Sequence, residues 1–351
     1  MNLFTRKICI ILFVFFLIGC SSSSDYDLRA ECKPKHHTEN GFRNYPLIEP
    51  ADTKGFKFIW NRIFSSSKLD EIPADHLIDE KRAIDRYKKL VNEDTITWIG
   101  QSTALLKING KVILTDPFFS KRAGPGILGP SRSVPPGISA KYLPAVDIIV
   151  ISHNHYDHLD ADFVDSLPNK KGIEVVVPLG IGKFFRGKDY IRIHELDWHQ
   201  TATVDGLKFT SHPMVHYSSR GLFDKNETLW CSWSILSSKK KLFFVGDTAY
   251  SPIAFQEIGA EIGGFDYALL PIGTSGNRKY GFHNHMNPME SFQAGLDIKT
   301  QTMIAIHWGT IDLSEEPLFE PAELFKKVAL KKEFDPKRLW ILKIGETRVL
   351  E

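Results

Sequence analysis

The 351-residue sequence has few cysteines and almost no net charge, and each scarcity excludes a class of protein. Four cysteines are too few for a disulfide-rich scaffold or an array of zinc ribbons. The formal net charge is +2, and Arg6 and Lys7 account for both excess positive charges. Because the rest of the chain is electrically balanced, we expect no nucleic-acid partner. Hydrophobic residues make up 42%, which is typical of a folded protein and not of a disordered one.

A short apolar run near the N-terminus, Ile8 to Ile18, is too short to span a bilayer comfortably. The run ends at Gly19-Cys20 and resembles the bacterial lipobox, in which the cysteine carries lipid. We therefore predict a lipoprotein signal peptide over residues 1–19, lipidation of Cys20 and a membrane-anchored protein of the bacterial cell envelope. Ser21, which follows the cysteine, favours the outer membrane or the periplasmic face. The alternative is an uncleaved anchor or an ordinary signal peptide.

The composition of the chain changes near residue 94, where we place a domain boundary. Residues 20–93 are polar and irregular, and we predict a tether and an N-terminal extension that packs on the core. Within this segment, residues 75–91 show a roughly helical spacing of apolar residues. An aromatic patch over Phe56–Phe64 favours packing on the core over contact with lipid. Residues 94–351 are predicted to form one domain.

Apolar runs of strand length recur throughout this domain. Three strands are predicted over Thr95–Gly100, Ala104–Ile108 and Lys111–Thr115, and a turn at Asn109-Gly110 joins the last two. Later runs of the same kind are Val146–Ser152, Glu174–Val177, Lys241–Gly246, Tyr267–Leu270 and Thr302–Ile306. Since a polar or glycine-containing segment follows each run, we predict a layered α/β fold with its chemistry at the strand ends.

The most specific motif is His153-Asn-His155-Tyr-Asp157-His158, directly after one of these runs. A loop at a strand end lets His153 and His155 project together, while Asp157 and His158 turn towards a neighbouring point. Neutral imidazoles and a carboxylate are ligands that zinc prefers. The motif therefore predicts a metal centre, and a solvated polar loop is the alternative.

One loop cannot complete two coordination spheres, so further ligands are expected at later strand ends. Asp247 follows an apolar run and a glycine, and its carboxylate could bridge two cations; a turn or helix N-cap is the alternative. His307 also follows an apolar run and is a second candidate ligand; the alternative is a core histidine whose hydrogen bonds are satisfied within the fold. Between them, either His212 or His216 could serve, and we favour His216.

The order of these residues resembles that of the dinuclear metallo-β-lactamase superfamily. More narrowly, the chain resembles the N-acylphosphatidylethanolamine-hydrolysing phospholipase D family from about Gly41 to its C-terminus. The stretches that carry this resemblance are Thr97–Thr103, Leu114–Ser120, Gly129–Arg132, Ile151–Asp160, Glu195–Trp198, Gly246–Tyr250, Ala305–Thr310 and Lys343–Arg348.

The resemblance implies a four-layer αββα metallo-β-lactamase fold, with two mixed sheets flanked by helices and an N-terminal extension. It also implies two Zn²⁺ per chain, with iron or manganese as alternative metals. One metal would be held by His153, His155 and His216. The other would be held by Asp157, His158 and His307, with Asp247 bridging the two.

The resemblance assigns further roles around the metals. Asp116 would orient ligand side chains from behind, and a turn aspartate before Pro117 is the alternative. Asp157, Asp247 and His285 would form the catalytic group, His285 would contact the substrate phosphate, and Tyr156 is expected to bind substrate.

The implied function is a zinc-dependent phosphodiesterase of the phospholipase D type. It would hydrolyse N-acylphosphatidylethanolamine-like lipids at a membrane surface to phosphatidic acid and N-acylethanolamine, through a hydroxide that bridges the metals. A homodimer is compatible with this expectation. The segment Thr274–Tyr280 departs from the family pattern, so a lactone or other carbonyl ester is the alternative substrate. A nuclease would require a more basic surface, and a non-catalytic metal-binding protein would be expected to lack some ligands.

Overall fold

The computed structural model describes residues 34–45, 71–274, 283–314 and 316–351. The chain divides into two compact units, Met1–Glu39 and Asn40–Glu351. In the described part of the first unit, the His37 amide donates to the Pro34 carbonyl and closes a turn. The predictions for residues 1–19, Cys20, 56–64 and 275–280 lie outside the described residues. All strands and helices given below belong to the second unit.

Fourteen strands occur in the described residues, most of them rich in buried β-branched and aromatic side chains. In chain order they are β1 (Thr95–Gly100), β2 (Thr103–Ile108), β3 (Lys111–Thr115), β4 (Ile148–Val150), β5 (Glu174–Pro178), β6 (Arg192–Leu196), β7 (Thr201–Val204), β8 (Leu207–His212), β9 (Ser232–Leu236), β10 (Lys241–Phe244), β11 (Phe265–Pro271), β12 (Thr300–Ile306), β13 (Leu339–Trp340) and β14 (Thr347–Val349).

These strands form two seven-stranded sheets with closely similar pairing patterns. The first sheet has the order β14-β1-β2-β3-β4-β5-β6, and the second has the order β13-β12-β11-β10-β9-β8-β7. In the first sheet, the pairings from β14 to β3 are antiparallel and those from β3 to β6 are parallel. In the second, the pairings from β7 to β10 are antiparallel and those from β10 to β13 are parallel. Both sheets are therefore mixed.

Five α-helices occur in the described residues: α1 (Glu80–Lys89), α2 (Ala161–Ser166), α3 (Pro252–Ile262), α4 (Pro288–Asp297) and α5 (Glu320–Lys331). The Asp79 side chain accepts from the Arg82 amide at the start of α1, and Asn287 and Glu290 form a capping box on α4. No described helix combines the length and the apolar composition needed to cross a bilayer.

Buried apolar side chains form a core on each face of the first sheet. Ile148 and Val150 of β4 belong to a large cluster that includes the apolar residues of the second sheet. Ile149 points the other way, into a smaller cluster with Phe163 of α2 and Ala83 of α1. Helices α3, α4 and α5 add apolar side chains to the large cluster from the second sheet's side. This arrangement confirms the predicted α/β fold with two mixed sheets.

The positions of the strand ends prepare the functional site. The parallel strands β3 and β4 end just before Asp116 and the histidine motif, and β10 and β12 end just before Asp247 and His307. Parallel neighbours end at the same edge of a sheet, so polar residues that follow them lie close together. At the equivalent end of β1, Gln101 adopts a positive φ of 54°.

Candidate metal centre

Two groups of ligand-type side chains lie at this edge and share Asp247, and all of them are buried except His155, which is half-buried. We call His153, His155 and His216 the first triad, and Asp157, His158 and His307 the second triad. Together with Asp247, each triad places one nitrogen or oxygen atom per residue within 4.8 Å of all the others. The structure thus brings together all seven side chains that the sequence analysis predicted as ligands.

The first triad consists of converging imidazole nitrogens. The His153 Nε2 and His155 Nδ1 atoms are 2.8 Å apart, and His155 Nδ1 is 3.4 Å from His216 Nε2. The Asp247 Oδ2 atom lies 3.9 Å from Nε2 of both His153 and His216. The three nitrogens match the number of protein ligands in a catalytic zinc site, and the Asp247 oxygen lies beside them as a candidate fourth ligand.

The second triad surrounds Asp247 from the other side. The Asp157 Oδ2 atom is 3.4 Å from Nε2 of both His158 and His307. The Asp247 Oδ2 atom is 3.1 Å from His158 Nε2, while its Oδ1 atom is 3.2 Å from His307 Nε2. A carboxylate between two such groups is suited to contact two cations.

Gly246 allows Asp247 to reach this position. Its φ is +65°, and a β-carbon at residue 246 would lie 2.5 Å from the β-carbon of Ser152. Only glycine lets the β10 end pack so closely against the β4 end. The apolar strand thus delivers Asp247 to a point beside the histidine motif.

Asp116 connects the two triads from behind. Its carboxylate accepts from the Ser152 amide at 2.7 Å, the Ser152 hydroxyl at 2.5 Å and His158 Nδ1 at 2.6 Å. The Ser152 Oγ atom is also 2.9 Å from His153 Nδ1. Because the Nδ1 atoms of His158 and His153 are engaged in this way, the Nε2 atoms of these two histidines are left to face the centre. The geometry agrees with the role predicted for Asp116.

Three further contacts orient ligands and were not predicted from the sequence. The Gln101 side-chain amide donates to Asp157 Oδ2 at 2.9 Å. The His216 Nδ1 atom is 2.9 Å from the Asn284 carbonyl, and His307 Nδ1 is 3.3 Å from the Thr274 hydroxyl. The one sequence signal for Gln101 is a polar residue immediately after a strand.

The electrostatic environment differs between the triads. Burial lowers the pKa of His153 and His155 well below the usual histidine value, and it lowers the pKa of His216 to about 4. Burial also acts against protonation of His158 and His307, but the surrounding carboxylates outweigh it. They raise the pKa of His158 well above its usual value and that of His307 to about 9.

Asp247 is buried, and burial by itself raises a carboxyl pKa. The neighbouring His158, His307 and His285 outweigh this effect and hold the pKa of Asp247 well below its usual range. The bridging position is therefore occupied by an ionised carboxylate, the form that binds cations.

Buried polar atoms provide a test of whether these residues fit metal ions. Among the described residues, His158 Nε2, His307 Nε2 and Asp247 Oδ1 are buried without a hydrogen-bond partner. A buried polar atom left unsatisfied costs about 1–3 kcal/mol. All three atoms face the same centre, so cations there would satisfy them together. The imidazole and carboxylate donors fit zinc, and also iron or manganese.

Of the two predicted substrate contacts, His285 lies beside the centre, whereas the side chain of Tyr156 contacts Arg220. The His285 Nδ1 atom is 3.6 Å from Asp247 Oδ2, and burial lowers the pKa of His285 to about 3. The Tyr156 hydroxyl donates to the Arg220 carbonyl at 3.0 Å, and the Arg220 guanidinium stacks 3.9 Å above its ring. Tyr156 also lines a cavity of about 480 Å³ on the outer side of the histidine motif.

His212, the rival to His216, lies outside both triads. It is the last residue of β8, where its Nε2 atom is 3.0 Å from the Ser234 hydroxyl. Burial lowers the pKa of His212 to about 3. The chain must continue beyond the strand end before a side chain reaches the centre, which is why His216 and not His212 lies there.

Comparisons with known proteins show which proteins the chain is similar to. The profile of a β-lactamase superfamily domain matches residues 111–308. An uncharacterized protein of Mycobacterium tuberculosis is 44% identical over 234 residues, which cover 65% of this chain and 62% of that protein. The chain therefore matches less than two thirds of the length of this mycobacterial relative.

A relative with a described activity and a solved structure extend the comparison. The N-acyl-phosphatidylethanolamine-hydrolyzing phospholipase D 1 of Caenorhabditis elegans is 34% identical over 244 residues, 66% of this chain and 68% of that protein. The crystal structure of a possible metal-dependent hydrolase from Veillonella parvula aligns with a TM-score of 0.60 and 16% identity. That alignment covers 73% of this chain and 99% of the other, and it shows a common fold.

Proposed function

Since the chain belongs to the metallo-β-lactamase superfamily, we propose that it is a metal-dependent hydrolase and, more narrowly, a phosphodiesterase of the phospholipase D type. Its substrate would be N-acylphosphatidylethanolamine or a similar phospholipid, and its metals two Zn²⁺ ions. The observation that carries the proposal is the pair of buried triads sharing Asp247. The 34% identity to the nematode phospholipase supports the choice of substrate class.

A phosphodiester resists hydrolysis because its negative oxygens repel an incoming nucleophile. Two divalent cations in the triads would supply Lewis-acid chemistry, which lowers the pKa of water and offsets the charge of the phosphoryl oxygens. The chain's own residues create the conditions for this. Asp116 and Gln101 fix the orientation of His158 and Asp157, so little reorganisation is required during the reaction.

In the proposed reaction, the oxygen of water bonds to phosphorus as the bond to the N-acylethanolamine oxygen breaks. One proton of the water ends on the departing alkoxide, and the products are phosphatidic acid and N-acylethanolamine. His285 lies beside Asp247 and is neutral at pH 7, because burial lowers its pKa to about 3. A neutral imidazole in this position can donate a hydrogen bond to a phosphoryl oxygen and orient the phosphate.

We also propose that the protein acts at the bacterial envelope, held to the membrane by lipid on Cys20. The support is the sequence alone, namely the short apolar run before Gly19-Cys20 and the serine-rich segment after it. A tether of this kind would keep the enzyme beside a membrane substrate.

The direct test is to incubate the zinc-loaded full chain with N-acylphosphatidylethanolamine in mixed micelles and to identify the products by mass. We expect phosphatidic acid and N-acylethanolamine in equal amounts. Both should disappear after chelation and in the matched Asp247→Asn variant. Absence of both products from a protein that carries two zinc ions would contradict the proposed substrate.

The second candidate substrate is a lactone or another carbonyl ester, and a departure in the sequence favours it. The sequence from Thr274 to Tyr280 differs from the phospholipase family pattern. Its first residue, Thr274, contacts His307 through its hydroxyl. A parallel assay with acyl lactones separates the candidates. Turnover of lactones without turnover of the phosphodiester would favour the carbonyl substrate.

A further inference from the structure

Two loops near the predicted centre expose large apolar side chains to solvent. Ile127 and Leu128 are 87% and 63% exposed, and Leu222 and Phe223 are 92% and 93% exposed. We call these two pairs the apolar tips. Scattered exposed apolar residues are ordinary on a protein surface, but adjacent pairs on neighbouring loops indicate an interaction surface.

The first tip is held in shape by its own backbone. The Ala123 amide donates to the Pro130 carbonyl at 3.0 Å, and the Leu128 amide donates to the Pro125 carbonyl at 3.0 Å. Arg122 Nη1 also donates to the Gly129 carbonyl at 2.8 Å. The loop is therefore closed on itself and presents its apolar pair outward.

The second tip is closed by one carboxylate. Asp224 accepts from the Gly221 amide at 2.8 Å, from the Arg220 amide at 3.0 Å and from the Ser219 hydroxyl at 3.2 Å. These contacts fix the turn on both sides of Leu222 and Phe223. The two side chains remain almost fully exposed in a turn that is built from its own hydrogen bonds.

Both loops border the cavity that Tyr156 lines. Gly126 and Ile127 form part of one wall, and Arg220 contributes to another. Arg220 also ties the second loop to the histidine motif, because its Nη1 atom donates to the Asn154 carbonyl at 2.9 Å and to the Leu159 carbonyl at 2.6 Å. The second tip is thus joined directly to the loop that carries four of the predicted ligands.

The charge of the first loop complements an anionic surface. Between Asp116 and Asp147 the sequence has no acidic residue but contains four basic ones, Lys121, Arg122, Arg132 and Lys141. Lys121 and Arg122 line the cavity beside the first tip.

Two aspartates, Asp160 and Asp162, also line the cavity. Asp160 accepts from the backbone amides of Phe119, Ser120 and Phe163, so its charge is engaged within the fold. Asp162 lies in the first turn of α2 and is exposed. The same cavity is lined by three basic residues, Lys121, Arg122 and Arg220, so basic side chains outnumber acidic ones there.

We propose that the apolar tips dock on a bilayer that contains anionic phospholipid. Ile127, Leu128, Leu222 and Phe223 enter the headgroup and acyl boundary, and Lys121 and Arg122 lie at the level of the phosphates. The proposal rests on the proposed function, because docking would bring the cavity and the predicted metal centre to a lipid substrate. It is separate from the predicted tether at Cys20, because it fixes the orientation of the folded domain.

The test measures contact with lipid at single positions of the full chain. Phe223→Trp and Ile127→Trp variants are mixed with vesicles of phosphatidylcholine and phosphatidylglycerol whose acyl chains carry bromine, which quenches nearby tryptophan. Leu330→Trp is the matched control, since Leu330 is 78% exposed on α5 and does not border the cavity. We expect the tryptophan added at either tip to be quenched several-fold more than the one at residue 330.

A second comparison tests whether the tips act together. Adding Leu222→Ser and Phe223→Ser to the Ile127→Trp variant should reduce its quenching to the level of the control, because two of the four inserted side chains are lost. Near-ultraviolet circular dichroism and metal content should match those of the parent protein. Every variant keeps the N-terminal segment, so any tether contributes equally.

Three results would overturn the docking proposal. They are equal quenching at residues 127, 223 and 330, quenching that the serine changes leave intact, and a change of sedimentation mass in the serine variant. The last would show that a second copy of the chain covers the tips. The vesicles contain no N-acylphosphatidylethanolamine, so quenching is measured independently of the reaction, and hydrolysis is measured separately in the mixed-micelle assay. Quenching at the tips together with no product in the micelle assay would contradict only the proposed function, and product formation without quenching would contradict only the docking surface.

Discussion

The two triads that share Asp247 differ in the charge that they carry before any cation binds. In the first triad, burial lowers the pKa of all three histidines, so His153, His155 and His216 are neutral at pH 7. In the second triad, the pKa of His158 is raised well above the usual value and that of His307 to about 9. Both of those histidines are therefore protonated in the metal-free protein.

The number of nearby carboxylates accounts for the difference. His158 is within 3.4 Å of oxygens of Asp116, Asp157 and Asp247. In the first triad the Asp247 oxygen is 3.9 Å from the Nε2 atoms of His153 and His216. Protons on the second triad balance its carboxylates. A cation can therefore bind the first triad without displacing a proton, whereas at the second triad it replaces protons.

The largest effect should come from Asp247→Asn, because this change removes the one ligand common to both triads. We expect the affinity for both cations to fall by at least about 100-fold, since loss of an outer partner alone costs 10–100-fold. Hydrolysis should become undetectable. Metal content after dialysis and turnover under metal-saturating conditions measure the two effects.

The matched control for Asp247→Asn is His212→Asn, which alters a buried histidine outside both triads. That variant should retain both metals and full activity. An Asp247→Asn protein that keeps both metals and turns over at the parent rate would show that the two triads do not depend on their shared carboxylate.

Proton release should separate the triads directly. As a divalent cation is titrated into chelated protein at pH 7, the equivalent that fills the first triad should release almost no protons. The equivalent that fills the second triad should release about two, from His158 and His307. Affinity at the second triad should rise with pH as His307 loses its proton near its pKa of about 9, and affinity at the first should change little over the same range.

Calorimetry in buffers of different ionisation enthalpy counts the released protons. Equal proton release for the two equivalents would mean that the triads do not differ in protonation. Such a result would remove the distinction between the triads, while leaving their geometry unaffected.

The predicted ligands could be recognised from the sequence because their signal is local. His307 is the first residue after β12 and Asp247 is the third residue after β10, so each lies at a strand end whatever the rest of the fold does. The same reasoning correctly predicted β1, β2 and β3 to within one residue. The helical pattern over 75–91 became the shorter α1, since Asp79 caps the helix and sets its start.

Elements with weaker patterns were not predicted. Most residues of β6 are half-buried and half of those of β7 are exposed, and neither segment shows an apolar run. The residues that orient the predicted ligands are even harder to predict from the sequence, because their contacts join distant parts of the chain. Gln101 and Asp157 are 56 residues apart in sequence and meet only after the first sheet has formed. His216 could be favoured over His212, but only the end of β8 at residue 212 gives the physical reason.

Gln101 offers the finest test of the difference between the triads. Its side chain donates to Asp157 in the second triad, while its backbone is held by other groups. The Gln101 carbonyl accepts from the His307 amide at 3.0 Å and from Trp98 Nε1 at 2.9 Å, and its own amide donates to the Thr310 hydroxyl at 2.8 Å. A Gln101→Met change therefore removes the side-chain donor and leaves the backbone contacts and the side-chain length nearly unchanged.

We expect Gln101→Met to weaken cation binding at the second triad by about tenfold, the lower end of the range for an outer partner, and to leave the first triad unaffected. The reason is that Asp157 loses the hydrogen bond that fixes its carboxylate, whereas no first-triad residue contacts the Gln101 side chain. A two-step metal titration measures both affinities in one sample. If both affinities fell equally, the two triads would respond as one unit, and Asp157 would be positioned by the whole centre and not by Gln101.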